Sequence, residues 1–527
     1  MQSESGASDA DGWSPSRSTF ADAPEEVGAL FTELAAARAV GVCASTTRTG
    51  AEEIALVGLY DGRPPVGGVV PWDGAVHAWK RVWRDAAPYL VTFAGKPLVS
   101  RLLAEGLEPR RLGDVRIALV LLAEGAARVP DDPATALAAW IDSAEPPALH
   151  PADDAAVRRE AATVAYGAVV ALRALAPRLR SLGLARLFDL ECRLVPVVAR
   201  MEAAGMPVDA AAFQRIADDW AAERARTTDP ARTARLDKLL STYAHWPRTY
   251  VDLDGRIRCR FDPLAADSGR FSCSEPNLQQ VPTERTAPGL RACFRAPPGH
   301  CFVVADYAQI ELRVAAALAP CERLADVFRH RGDPHRATAA TLTGKRPEAV
   351  TPAERKLAKA INFGFLFGMG ARTFRSYAKS SYGLDLDEAA ARRAKDAFFR
   401  TYPGLAAWHR RTAAQGRGAR EVVVRTVLGR RKRFPPGGFS LPAALNVPVQ
   451  GTAAEGFKRA LVDLDAELPA LGGRVVLCVH DEVVVEVPAS EADAARERVV
   501  EIMRAAMEPL LGGVPVEVEA VVAPCWR

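Results

Sequence analysis

Apolar and polar positions are arranged in three different ways along the chain. From about 23 to 185, short apolar runs such as "RAVGVCAS", "EIALVGLYDG" and "PPVGGVVPWDG" alternate with helical patterns such as "GKPLVSRLLAEG" and "VRIALVLLAEGAARV". Short β-branched runs bounded by Gly and Pro read as strands, and their alternation with helices predicts an α/β domain. From 186 to 260 the apolar spacing becomes helical and long, in "LFDLECRLVPVVARMEAAG" and "DAAAFQRIADDWAAERARTT". The charged stretch "DPARTARLDKLLSTYAHWPRTYVDLDG" that follows completes a helical arm. From 261 onward the pattern is mixed α+β, with strands predicted at 301–306, 422–427, 474–479 and 483–487 and helices between them. Residues 1–22 are polar and acidic without periodicity, and predict a disordered tail.

Composition narrows the class. A chain of 527 residues holds several domains, three or so, and its 49% hydrophobic content supplies large cores. The net charge of +4 marks no nucleic-acid binder by itself, so local clusters have to be consulted. The nine cysteines form no CxxC pair, and the four from Cys259 to Cys301 lack zinc-ligand spacing; they read as reduced thiols of a cytosolic protein. The N-terminal segment has neither the basic nor the apolar region of a signal peptide. No apolar run approaches the ~20 residues of a membrane helix. The expectation is a cytoplasmic protein without a membrane partner.

Two aspartates stand out. In "HCFVVADYAQIELRVAAALAP" a buried strand ends at Asp306 and a helix follows. Asp306 is either a helix N-cap or a ligand at a strand end. In "RVVLCVHDEVVVEVP" two apolar strands flank His480, Asp481 and Glu482, which predicts a hairpin with His480 and Asp481 at its tip. Asp481 is either an ordinary turn residue or a functional acid. Both strands are apolar on both faces, so the hairpin is buried, and a buried charge needs a partner or a metal. Two aspartates at the ends of apolar strands suit a site for a hard divalent cation, Mg²⁺ or Mn²⁺.

A third segment is "TPAERKLAKAINFGFLFGMG". Thr351, Pro352 and Glu354 form a capping-box start, and Gly368 lies near the stop, so a helix is predicted over 352–367. Arg355, Lys359, Phe363 and Phe367, four apart, share one face. Arg355 and Phe363 are separated by about 12 Å of helix axis, roughly the reach of a nucleotide from triphosphate to base. The face is either phosphate-binding cations followed by base-stacking aromatics, or an amphipathic surface with Phe in the core. Gly364 in mid-helix costs about 1 kcal/mol relative to Ala and suggests close approach of another group.

Together these segments resemble the family A DNA polymerases of the bacterial polymerase I type. "DYAQIELR" (306–313), "RKLAKAINFGFLFG" (355–368) and "HDE" (480–482) are similar to its three signatures. "SGRFSCSEPNLQQVP" (268–282), "TVLGRRKRFP" (426–435) and "LNVPVQGTAAEGFKRAL" (445–461) are similar to three further segments, in the family's order. The resemblance covers about 190 to 527 and, more faintly, the N-terminal part. It implies an RNase H-like, exonuclease-like domain at 23–185, a thumb at 186–260, and palm and fingers at 261–527, the fingers at about 321–435.

The resemblance implies template-directed transfer of dNTPs to a primer 3′-hydroxyl with two Mg²⁺ ions (Mn²⁺ as an alternative), in DNA replication or repair. Asp306, Asp481 and the Tyr307 carbonyl would hold metal; Glu482 would support the site without being an essential ligand. Arg355, Lys359, Gln309 and His335 match positions near the triphosphate, although His335, at a helix start, is as readily structural. Glu311 matches the residue that excludes a ribose 2′-hydroxyl, and Phe363 and Phe367 match positions near the incoming sugar and bases. Arg270, Asn277, Gln279, Asn446 and Gln450 match positions near primer and template. Arg430 and Arg431, in "GRRKRF", face DNA phosphates or are a solvated patch. A monomer associated with the nucleoid is expected.

The chain also departs from the family. Phe367 stands where Tyr is usual, which removes a hydroxyl from the surroundings of Glu311 and predicts weaker sugar discrimination. The thumb and the segment between Arg433 and Asn446 are short, which predicts low processivity. The first strand "RAVGVCAS" and "FAGKPLVSRLL" lack the acids of a two-metal exonuclease, and Tyr166 in "AYGAVVALR" has no Asp four residues on. An exonuclease-like scaffold without proofreading is predicted, and no segment resembles the 5′ nuclease domain. Rival readings are a single-subunit RNA polymerase and a non-catalytic DNA-binding relative; Glu311 argues against the first, and the intact aspartates and cations against the second.

Overall fold

The computed structural model describes residues 19–21, 23–46, 51–59, 65–84, 88–138, 154–418 and 420–527. They pack as two compact units: one of residues 1–123 and 127–200, the other of 124–126 and 201–527. The architecture is the expected mixture of α/β and α+β.

The first unit is built on a six-stranded sheet of β1 (Thr19–Phe20), β2 (Ala39–Thr46), β3 (Glu52–Leu59), β4 (Val66–Pro71), β5 (Leu90–Thr92) and β6 (Leu112–Asp114), in the order β1-β4-β3-β2-β5-β6. β2, β3 and β4 form an antiparallel meander, while β5 and β6 run parallel to β2. β3 is buried at seven of its eight positions, because helices cover both faces of the sheet. Phe31, Trp72 and Trp83 pack on one face with Ile54 and Leu56. The long helix α1 (Asp154–Ser181) packs on the other through Ala161, Ala162 and Ala165 against Ala55, Val57 and Val69. Small residues bring α1 so close that a Cβ at Gly41 of β2 would collide with the Ala165 carbonyl. Tyr166 lies partly buried in the same cluster.

Two expectations are corrected here. The disordered tail lies mostly outside the described residues, but Thr19–Phe20 pair in parallel with Gly68 and Val69 and extend the sheet. One helix, over Ala156–Ser181, is after all long and apolar enough to cross a membrane by length and composition, yet 56% of its apolar window is buried inside the protein. Its small-residue face against the sheet is that of a core helix.

The second unit begins within α2 (Ala185–Ala204), followed by α3 (Ala210–Arg226) and α4 (Pro230–Tyr243), whose N-termini are capped by Asp209 and Asp229. Its centre is a four-stranded antiparallel sheet of β7 (His300–Tyr307), β8 (Arg474–Val479), β9 (Glu482–Pro488) and β10 (Val518–Ala523), in the order β8-β9-β7-β10. Between β7 and β8 the chain forms helices that include α5 (Ile310–Leu318), α6 (Pro334–Thr343), α7 (Pro352–Leu366) and α8 (Leu441–Glu467). With α9 (Ala492–Met507), α8 covers the sheet; Tyr307 donates its hydroxyl to the Met503 carbonyl at 2.6 Å and packs edge-on against Phe457. The buried Glu486 of β9 accepts hydrogen bonds from Arg256 at 2.8 and 2.9 Å and from Arg474 at 2.5 Å. Arg256 also donates to the Ala204 and Gly205 carbonyls, fixing the chain entry beneath the sheet.

Candidate active site

The β7–β9 register sets Asp306 directly opposite Glu482, and the β7–β10 register sets it opposite Glu519. Only His480 and Asp481 connect β8 to β9, since Val479 pairs with Glu482. So tight a turn is made possible by His480 at φ +58°, in the left-handed region. Four acids, Asp306, Asp481, Glu482 and Glu519, thus meet where β7 ends. Partial desolvation and the charges of Asp481, Glu482 and Glu519 push the Asp306 carboxyl up to about 8. Desolvation raises Asp481 to about 6 against the opposing pull of its own backbone N–H and of Arg270. Glu482 is raised as well, by burial first, although it accepts a 2.8 Å hydrogen bond from the Trp526 indole.

Like charges held together are what a divalent cation relieves, and hard carboxylate oxygens suit Mg²⁺ or Mn²⁺. Among the described residues no group of three or more His, Cys, Asp or Glu is arranged to hold a metal ion. Asp306 is exposed and Asp481 half-buried, while Glu482 accepts from the Trp526 indole. The Tyr307 ring is anchored in the core, so the backbone that carries its carbonyl is held at the end of β7.

Beside the aspartates, Gln309 opens α5 in the left-handed conformation, φ 55° and ψ 39°. Glu311, in the first turn, accepts hydrogen bonds from Arg270 at 2.6 Å and Gln450 at 3.0 Å. Without a hydroxyl at position 367, Glu311 therefore still has two donors, which weakens the expected loss of sugar discrimination. Asn446 and Gln450 lie one turn apart on α8. Gln279 donates to the Cys478 carbonyl at 3.1 Å and ties its segment to β8, while the Asn277 Oδ1 is buried with no hydrogen-bond partner.

α7 starts with the expected capping box of Thr351 and Glu354, and ends one residue early, with Phe367 as its C-cap. Lys359 is exposed, and Arg355, Phe363 and Phe367 are half-buried. Arg355 donates from Nε to Asp333, the N-cap of α6, which also accepts from the His335 backbone N–H. His335 is buried beside the Phe363 ring, with Nδ1 3.0 Å from the Asn362 amide. Burial above all, with Arg355 and Lys359 nearby, lowers the imidazole to about 4 despite Asp333, so it is neutral at pH 7. Gly364 does accommodate a close neighbour: a Cβ there would stand 2.6 Å from the Phe374 ring.

The run Arg430–Arg433 is not a solvated patch, because each of its cations has an acidic partner. Arg430 is buried against Glu455 of α8, and Arg431 and Arg433 share the buried Glu124 at 2.7 and 2.9 Å. Lys432 pairs with Asp267 at 2.6 Å, and Arg433 also with Glu421 at 2.7 Å. Cations at these depths need acidic partners, and the partners lie up to 309 positions away in sequence. Asp333, Glu519 and Trp526 escaped sequence reasoning as well. Asp333 was legible only as a cap in "GDPHRAT", and nothing in "PCWR" signals Trp526.

Residues 195–527 match the family model described as DNA polymerase family A. A DNA polymerase I of Aquifex aeolicus (strain VF5) is 37% identical over 275 residues, 52% of this chain and 46% of that protein. A thermostable DNA polymerase I of Thermus filiformis is 41% identical over 302 residues, 55% of this chain and 35% of that protein. The chain thus spans less than half the length of these relatives. Among solved structures, the POL domain of Pol1 from M. smegmatis, in complex with DNA primer-template and dNTP, matches with a TM-score of 0.82 at 23% identity, over 96% of this chain and 99% of that one. At that identity the likeness is one of fold.

Proposed function

The chain belongs to DNA polymerase family A, and from that premise we propose that it extends a DNA primer on a template with dNTPs. The observation that carries this reading is the meeting of Asp306 and Asp481 at the end of β7, beside the Arg270–Glu311–Gln450 cluster. In the reaction the primer 3′-hydroxyl loses its proton to solvent as its oxygen bonds to the dNTP α-phosphorus, the bond from that phosphorus to the bridging oxygen breaks, and pyrophosphate leaves.

Asp306 and Asp481 would hold two divalent ions, with the Tyr307 carbonyl as a further ligand. When bound, such ions stabilise the attacking and leaving oxygens. Arg355 and Lys359 take triphosphate oxygens, which requires Arg355 to exchange Asp333 for the nucleotide. Phe363 packs against the incoming nucleoside. The neutral His335, held by Asn362, shapes this surface or donates a hydrogen bond to it. Glu311 lies where it can exclude a 2′-hydroxyl, and Arg270, Asn277, Gln279, Asn446 and Gln450 line the path of primer and template.

The first unit carries no proofreading site on this reading. Its sheet acids serve structure: Asp114 accepts backbone N–H groups from Ala94, Gly95 and Arg116, and Glu53 pairs with Arg158. One experiment tests both halves. Primer extension with dNTPs should fall on the order of 10³-fold in Asp481→Asn, as several kcal/mol of metal-borne stabilisation are lost; undiminished extension would refute the assignment. In the same assay a labelled 3′ end should stay intact without dNTPs. Digestion that persists in Asp306→Asn and Asp481→Asn would place an exonuclease elsewhere.

A further inference from the structure

Glu482 faces Asp306 across the β7–β9 pair. Cross-strand neighbours have Cβ atoms about 4.5–5.5 Å apart, close enough for the Glu482 carboxylate to join the two aspartates as a third metal ligand. It is instead turned aside. The Trp526 Nε1–H donates to its Oε1 at 2.8 Å. An indole offers one donor and no acceptor, and it carries no charge that a change of pH could alter. It therefore holds a carboxylate oxygen in one place without neutralising it.

The indole is itself clamped. Trp526 is 1% exposed, its backbone N–H donates to the Phe294 carbonyl at 2.9 Å, and its ring packs edge-on against Phe294 at 5.6 Å. The Arg291 guanidinium lies 4.1 Å above the ring and is fixed by the Val281 and Arg527 carbonyls. The Arg291 charge also acts on Glu482, opposing the rise that burial causes.

We propose that Trp526, braced by Arg291, is the positioning residue that keeps the Glu482 carboxylate out of the Asp306–Asp481 pair, so that Glu482 acts on bound ions through its field and not as a ligand. This rests on the reading of Asp306 and Asp481 as metal ligands. The test is Mn²⁺ binding to the DNA-free protein, followed by the spin-resonance signal of free Mn²⁺, for wild type, Trp526→Phe, Glu482→Gln and the double variant. Phenylalanine keeps the ring and removes the donor. Trp526→Phe should bind Mn²⁺ roughly tenfold tighter, the scale of outer-shell effects on metal sites. The same substitution in the Glu482→Gln background should make no difference. Unchanged or weaker binding in Trp526→Phe, or a gain that survives in the double variant, overturns the proposal. Arg291→Gln, which loosens the clamp and leaves the indole in place, gives a smaller gain in the same direction and serves if Trp526→Phe fails to fold; no gain there overturns the proposal equally. Asp306→Asn and Asp481→Asn separate the two levels: Mn²⁺ binding unaffected by either refutes the metal-site reading itself, whatever Trp526→Phe does.

Discussion

A carboxylate that accepts two hydrogen bonds has little freedom to turn. Glu311 is held by Arg270 and Gln450, so the hydroxyl missing at Phe367 was not needed to orient it. Sugar selection should then depend on Arg270 more than on position 367. Phe367→Tyr is expected to change the ratio of rNTP to dNTP incorporation less than about twofold. Arg270→Leu should change it about tenfold or more, the scale of one charged hydrogen bond. Equal effects of the two substitutions would return the role to position 367. The acids at the end of β7 make a separate prediction. The Asp306 carboxyl is raised to about 8, so its protonated form is favoured by folding. That contribution is complete below about pH 4, near the unfolded value, and is lost as pH rises through 8. In chelator, Asp306→Asn should melt with wild type near pH 4 and progressively above it toward pH 8–9, and added Mg²⁺ should close the gap. A gap of constant size across that range would contradict the assignment.

At the scale of elements, α7 shows what local pattern can and cannot reveal. Its capping box, its register of Arg355, Lys359 and Phe363, and its stop near Gly368 all lie within a few residues of one another, and so were legible in the sequence. The β8–β9 hairpin was legible for the same reason, because two apolar runs with a two-residue gap admit one pairing. Gly364 announced only that something comes close; the neighbour, Phe374, is visible only in the packing. Gly364→Ala should gain up to about 1 kcal/mol in helix propensity but lose about 1–3 kcal/mol by overpacking against that ring. Urea unfolding should therefore show net destabilisation, and a net gain would mean that Phe374 gives way without strain. The donors to Glu311, the indole on Glu482 and the acid on Arg355 come from other elements, and no period or motif within one element encodes them.

Across the whole molecule the same limit is clearest in the run Arg430–Arg433. Charge counted along the sequence left open a surface for DNA phosphates or a solvated patch, whereas the fold brings Glu455, Glu124, Asp267 and Glu421 to it from distant positions. A cation that already has a carboxylate partner must give up that pairing before it can neutralise a phosphate. Each phosphate neutralised on duplex DNA ordinarily adds about 0.9 to the slope of log affinity against log salt. If this run takes no part, replacing Lys432 and Arg433 with Gln should leave that slope unchanged within about 0.5, where two phosphate contacts would lower it by about 1.8. The protein would then grip its template with fewer ions released than its arginine content suggests, and would keep more of its hold as salt rises.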